Sequence, residues 1–363
     1  MSDRPKRSKE SDAVLRKEPV DFLNTGSTNL NLAASQKAEN GGWARGRIVN
    51  IVGDGSSGKS LSAIEACAQS FWYMKGNESH NFPRVEEVKV VYNNVEGVMD
   101  FPLDLMYGEE FEKGIVWIRT GTVQAFGRDL FSRLDSLEPG QHLLYVVDSW
   151  DALDSEEEAQ AFAKSIKSDK PMEGSYDLGK QKYGSKRFFK YLCSEIEGED
   201  GGAKKDCTLI IISQVRLNIG VTFGAKKTRV GGDALNFYTH QVCWLREAKK
   251  LTHTSQGETL VTGISVEAKF KRNKVALPFR EARFDITLNR GIDDITSMVK
   301  WVWGPESKTV DFDEKKFKNY PSLVKYIEDN SLEQTLIGMT KEKWNKIEKA
   351  VKVERKPRFP TQT

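Results

Sequence analysis

At 363 residues the chain is long enough for one large α/β domain with a small appendage and a full hydrophobic core. Its 55 basic and 52 acidic residues leave a net charge of +3, which neither demands nor excludes a nucleic-acid partner, so any affinity for DNA must come from local clusters. Cys67, Cys193, Cys207 and Cys243 are far apart, each in or beside an apolar run, which argues against a disulfide scaffold or zinc site and fits a reducing cytoplasm. No apolar stretch approaches membrane-spanning length, and the opening residues are charged and polar, unlike a signal peptide. The expectation is a soluble, cytoplasmic protein with no membrane partner.

In chain order, residues 1–20 carry Arg4, Lys6, Arg7, Lys9, Arg16 and Lys17 among few apolar residues, the composition of a disordered basic arm or of a nucleic-acid contact. The apolar run 47–52 reads as a strand and 61–68 as a helix. Between them lies Gly53-Asp54-Gly55-Ser56-Ser57-Gly58-Lys59-Ser60, a match to G-x-x-x-x-G-K-[ST] in its proper strand-to-helix context. Its glycines let successive NH groups face the phosphates of a nucleotide, and the following helix adds its positive end. Lys59 is placed to reach the β- and γ-phosphates, and Ser60 to ligate Mg²⁺.

Strand-like runs recur at 88–92, 115–118, 143–147 and 208–213, separated by helical stretches such as 123–137 and 185–197. Near-continuous apolar strands alternating with helices predict a mostly parallel central sheet flanked by helices, with ligands beyond the carboxyl ends of the strands. Runs at 240–245, 262–270 and 282–288 extend the sheet with antiparallel pairs. After about residue 294 the pattern changes to short helices with charged faces, a small C-terminal α-rich domain. The expected division is an arm at 1–20, a nucleotide-binding core at 21–294, a C-terminal domain at 295–356 and a disordered tail at 357–363.

Asp148 ends the strand 143–147, where a phosphate-loop protein needs a carboxylate for the Mg²⁺ shell; strands also end in Asp for turn reasons alone. Glu96 follows the second strand and is either a solvated loop residue or the carboxylate that polarises an attacking water. Gln214 follows the strand 208–213 and opens a stretch, 215–232, with glycines, bases and isolated apolar residues but no clear period. Arg216 and Arg229 are suited to phosphates, Ile219 and Phe223 to bases, and Gly231-Gly232 to a helix start that offers free NH groups. A mobile surface loop is the alternative; its position beside the nucleotide favours a ligand sensor.

Three longer segments carry a resemblance: 214–224 (QVRLNIGVTFG), 231–238 (GGDALNFY) and 271–279 (KRNKVALPF). With Thr25-Gly26-Ser27, the lead-in at 46–49 and the phosphate loop, they follow one another as in the bacterial and phage RecA-type DNA recombinases, which the chain resembles over roughly residues 24–301. That resemblance implies a RecA-like P-loop NTPase core using ATP and Mg²⁺, assembled as a helical filament on single-stranded DNA that pairs with double-stranded DNA. It also implies site roles. Glu96 is the catalytic carboxylate, and Gln214 the γ-phosphate sensor linked to the second DNA-binding loop, 215–232. Ile219 inserts between bases, Phe237 couples subunits, and Arg272 and Lys274 reach the ATP of the adjacent protomer. Asp100 falls near the adenine.

Departures from the family pattern are visible. About twenty polar residues precede Asp21 where a helix and strand usually dock on the next subunit. Leu288 stands where an aromatic residue commonly packs on adenine, and Arg272 and Asn236 replace lysines, a change that matters at a phosphate site. The first DNA loop, 172–187, matches poorly, yet Tyr183 and Arg187 with neighbouring lysines suit a single strand. The basic residues of 339–358 form either a solvated helix face or a capture surface for duplex DNA. The missing acidic tail points to a phage-type member. The alternatives to a recombinase are a same-fold helicase or repair accessory factor, and a nucleotide-switched DNA-binding scaffold.

Overall fold

The computed structural model describes residues 20–76, 85–97, 99, 101–168, 186–197, 205–217, 227–229, 235, 237–353 and 355. A two-residue strand β1 (Phe22–Leu23), helix α1 (Thr28–Ser35) and β2 (Trp43–Ala44) lead into β3 (Ile48–Gly53), in which every residue is buried. Such a strand can hold Asn50 only because its side-chain amide donates to Ile211 O at 2.8 Å and Ser213 Oγ at 2.9 Å. Helix α2 (Lys59–Met74) then packs small residues, Ala63, Ala66, Cys67 and Ala68, into the core beneath the sheet.

The chain continues through β4 (Glu87–Asn94), short helices α3 (Leu103–Tyr107) and α4 (Glu109–Gly114), β5 (Val116–Ile118), α5 (Val123–Asp135) and β6 (Gln141–Asp148). Helices α6 (Glu156–Ser168) and α7 (Lys186–Glu197) precede β7 (Cys207–Leu217) and β8 (Lys227–Arg229). A hairpin of β9 (Gln241–Ser255) and β10 (Glu258–Asn273) leads to β11 (Glu281–Thr287) and β12 (Gly291–Asp293). The central sheet has the order β12-β11-β10-β9-β3-β7-β6-β4-β5, with β8 paired to β7. Strands β9, β3, β7, β6, β4 and β5 are parallel, and β10, β11 and β12 add antiparallel pairs. One apolar cluster fills the side of α1 and α2, and a second, including Phe126, Tyr145, Trp150 and Phe189, the side of α5 and α7. This is a RecA-like α/β core, with the parallel sheet and antiparallel extension that the apolar runs predict.

Two strands outrun their apolar patterns. The ladder of β7 continues past Ser213 to Leu217 because Val215, Arg216 and Leu217 pair with Arg229, Thr228 and Lys227 of β8. The β9–β10 hairpin reaches Ser255 and Glu258 around a two-residue turn, Gln256 and Gly257 at φ of 53° and 85°. Its outer half is exposed on both faces, so no alternation marks it.

Beyond β12 lie α8 (Asp294–Trp303), the hairpin β13 (Val310–Phe312) and β14 (Lys315–Phe317), α9 (Tyr320–Asp329) and α10 (Glu333–Val351). They share a small apolar cluster of Met298, Val299, Val310, Phe312, Tyr320, Leu323, Ile327 and Leu336. The last helix, at 19 residues, is longer than the short helices expected, and the hairpin was not legible. Trp344 from this helix joins the main core instead, 5.9 Å from the Trp301 ring, and Glu348 pairs with Arg280. No helix among the described residues is long and apolar enough to cross a membrane.

Candidate nucleotide site

Register brings the site together. Gly53, the last residue of β3, pairs with Gln214 of β7 on one side and Leu245 of β9 on the other. Asn94 of β4 pairs with Asp148 of β6. The carboxyl ends of these strands therefore line one rim, and the loop from Gly53 to Ser60 leaves from its middle, as such sheets require.

The loop is closed by its own groups. Ser57 Oγ donates to Asp54 O at 2.8 Å, and the Lys59 ammonium folds back to the same carbonyl at 2.6 Å. Gly58 adopts φ of 85°, and a Cβ there would meet Ile286 Cδ1 at 2.6 Å; at Gly53 a Cβ would meet Ser57 Oγ at 2.3 Å. Gly53 demands glycine by space, because the rigid Leu245 O would also lie 2.7 Å from a Cβ, and Gly58 by backbone conformation. Helix α2 starts at Lys59 with no side-chain cap and no acid in its first turn, so its first NH groups and its positive end are offered to an anion. Burial depresses the Lys59 ammonium below its usual range, against the pull of Asp148, Glu96, Asp54 and Asp151. A buried amine, an uncapped helix start and a glycine cradle fit a nucleotide's phosphates.

Asp148 is buried at the end of β6, and its Oδ2 accepts from the Tyr92 hydroxyl at 2.7 Å. Desolvation raises its carboxyl above the usual range, opposed by hydrogen bonds from Ser60 and Tyr92. A desolvated carboxylate beside a serine hydroxyl fits a divalent cation, which would offset the burial. The Asp148–Ser149 peptide bond is cis.

Glu96 is held over this rim. Its NH and that of Val95 donate to Asp148 O at 3.3 and 2.7 Å, tying its turn to β6. Its Oε1 accepts from Ser149 Oγ at 2.7 Å and from Gln214 Nε2 at 3.0 Å. The Gln214 main-chain NH in turn donates to Asp151 Oδ2 at 2.6 Å. Thus Lys59, Ser60, Glu96, Asp148 and Gln214, separated by up to 155 residues in sequence, meet at one rim. Sequence reasoning missed Ser149, Asp151 and Tyr92. The first two stand one and three residues past a carboxylate-ending strand, which marks the place but not their partners; the phenol is an ordinary strand residue until the fold turns it to Asp148.

Arg272 and Lys274 are not part of this rim. Arg272 pairs with Val242 and Asn273 with Gln241, whose parallel partner is Val49 near the start of β3. Arg272 is thus level with Asn50, three residues or roughly 10 Å along the strand direction from Gly53, and two strands to the side of β3, with Lys274 beyond the end of β10. Lys274 Nζ donates to Phe237 O at 2.9 Å and lies 5.8 Å from the ring centre of the exposed Phe237. Asp100, Tyr183, Ile219, Phe223, Gly231 and Gly232 fall outside the described residues, and for Arg187, Arg216 and Arg229 only the main chain is described.

A parallel sheet with an uncapped phosphate loop, a strand-ending aspartate and a glutamate above it define a P-loop NTPase core of RecA type. Residues 177–293 match the family model of the RecA N-terminal domain. The chain is 28% identical to protein RecA of Ehrlichia canis over 283 residues, which cover 78% of this chain and 68% of that protein. It is 30% identical to a protein RecA of Prochlorococcus marinus over 278 residues, 76% of this chain and 62% of the relative, and 29% identical to that of a Sulfurovum species over 287 residues, 78% and 70%. Over about three quarters of its length the chain is thus similar to RecA proteins.

Proposed function

We propose that the protein is an ATP-dependent DNA recombinase that polymerises on single-stranded DNA, pairs it with homologous duplex and exchanges strands, hydrolysing ATP at protomer interfaces in response to DNA. The observation that carries this reading is Gln214. Its side-chain amide holds the Glu96 carboxylate, its main chain is laddered to Gly53 at the head of the phosphate loop, and it opens the segment 215–232. One residue thus connects the hydrolytic carboxylate, the phosphate cradle and the segment proposed to meet DNA.

When bound, ATP supplies the γ-phosphoryl group and Mg²⁺ neutralises its charge. The chain's own residues do the rest. The NH groups of 54–60 and the Lys59 ammonium bind phosphate, Ser60 and Asp148 hold the metal, and Asp100 borders the adenine. Glu96, steadied by Ser149, accepts a proton from the attacking water. Gln214 leaves Glu96 for the γ-phosphate and so reorders the second DNA loop, in which Arg216 and Arg229 take phosphates, Ile219 and Phe223 meet bases, and Gly231 and Gly232 offer NH groups. Tyr183 and Arg187 belong to the first loop.

Arg272 and Lys274 lie too far from the phosphate loop of their own chain to serve it, which supports a trans role toward a neighbour's nucleotide, with Phe237 beside Lys274 coupling the subunits. On this reading residues 21–294 form the catalytic core and 295–356 an accessory domain. It works in the cytoplasm, of a host cell where phage-encoded.

The test is ATP turnover with and without single-stranded DNA, followed by strand exchange between circular and linear homologues. A recombinase gives strong stimulation and joint molecules. Turnover without exchange identifies a same-fold remodelling ATPase, and DNA binding without turnover a scaffold; either result overturns the proposal.

A further inference from the structure

Asp151 sits in the 3-10 turn Trp150–Ala152, three residues beyond Asp148. Its carboxylate Oδ2 accepts from the Gln214 main-chain NH at 2.6 Å. That NH lies where β7 passes its last ladder partner, Gly53, and turns to pair with β8. A carboxylate on an amide makes a charge-assisted bond, about twice as strong as a neutral one. The turn that presents it is anchored: the Trp150 ring is buried against Phe126 and Phe189, with centroids at 6.1 and 5.5 Å, and Ala152 N donates to Ser149 O at 3.2 Å. The same carboxylate is one of four whose negative field reaches the buried Lys59 ammonium. Asp151 therefore contacts the start of the second loop and acts electrostatically on the phosphate site.

We propose that Asp151 is a positioning residue with two opposed effects: it clamps the Gln214 main chain so that the Gln214 amide reaches Glu96, and its charge holds nucleotide affinity down by opposing the incoming phosphates. The coupling half rests on the proposed function above; the clamp and the charge do not. The two effects part under substitution. Asp151→Asn keeps an oxygen able to accept from the Gln214 NH but removes the charge. Asp151→Ala removes both.

The experiment uses the full chain in three measurements. Amide hydrogen exchange across 212–217 without ligand reads the clamp. Binding of a fluorescent ATP analogue with Mg²⁺ reads the charge. The gain in affinity for an oligo-dT strand on adding a non-hydrolysable ATP analogue reads coupling. Both variants should bind nucleotide about 3- to 10-fold more tightly, the size of one unit charge removed at close range in a partly solvated site. Asp151→Ala should exchange at least about tenfold faster at 212–217 and lose most of the nucleotide-dependent gain in DNA affinity, whereas Asp151→Asn should keep slow exchange. A purely structural role weakens nucleotide binding, so it cannot mimic this pattern. Nucleotide affinity unchanged or lowered in both variants, or unchanged exchange in Asp151→Ala, overturns the proposal. A wild-type protein whose DNA affinity ignores nucleotide overturns the proposed function instead, while exchange and nucleotide binding still judge Asp151.

Discussion

A single carboxylate oxygen of Glu96 receives both the Ser149 hydroxyl and the Gln214 amide, so the group is oriented before any substrate arrives. General-base assistance is worth roughly 10² to 10⁴ in rate. Glu96→Gln should lower single-turnover ATP cleavage by about that factor while leaving nucleotide affinity within a few-fold, measured by rapid quench and by equilibrium binding. The Asp294 carboxyl titrates in a useful range. Asp294 is half-buried, accepting from Thr28 N and Oγ1 at 2.7 Å each, and desolvation raises it from 3.8 to about 6 in spite of those bonds. Between those values the folded chain binds more protons than the unfolded chain, so this group costs stability as pH rises. The cost is complete above pH about 6 and absent below about 4, on the order of 2–3 kcal/mol. Urea titrations at pH 4.5 and 7 should show a smaller loss on raising the pH for Asp294→Asn than for the wild type.

At the scale of elements, the phosphate loop and the strands were legible because their cause is local: glycine conformational freedom, a strand-ending carboxylate and apolar runs that only a covered sheet can bury. The outer β9–β10 hairpin was not, because residues such as Thr252, Thr254 and Glu258 face solvent and carry no hydrophobic period. Nor was the extension of β7 to Leu217, which depends on a partner ten residues or more away. Lys59, Glu96, Asp148 and Gln214 could be picked out individually, yet their meeting depends on the pairings Gly53 with Gln214 and Asn94 with Asp148, which spacing alone does not give. Asp151 was missed because a lone turn aspartate looks ordinary until the Gln214 NH is found on it. The loop itself makes a sharp prediction. Gly58→Ala forces a left-handed residue and a contact at 2.6 Å with Ile286. The cost should be about 1–3 kcal/mol of stability, read by thermal melts, with nucleotide affinity lowered more than tenfold.

At the scale of the whole molecule, Trp344 and the Arg280–Glu348 pair fasten the last helix to the main core, although most of the elements after β12 share a cluster of their own. The phosphate loop leaves the carboxyl end of β3, whereas Arg272 and Lys274 lie two strands away, on β10 and just beyond it, level with the first half of β3. If each copy completes the site of the next, Arg272→Ala mixed with wild type should depress DNA-stimulated ATP turnover more steeply than the mutant fraction, because one altered subunit disables a neighbour's site. A linear fall would count against the trans role.

If each copy completes the site of the next in this way, the contact joins two unlike surfaces. A contact between unlike ends repeats in one direction without using itself up, so an open assembly has polarity and its two termini differ. One terminal subunit always holds a nucleotide site that no neighbour completes. A row of n copies then has n − 1 competent sites, and turnover per subunit climbs as (n − 1)/n. Short rows are penalised most: a pair works at half capacity, and the unfinished end is where nucleotide should exchange without being consumed.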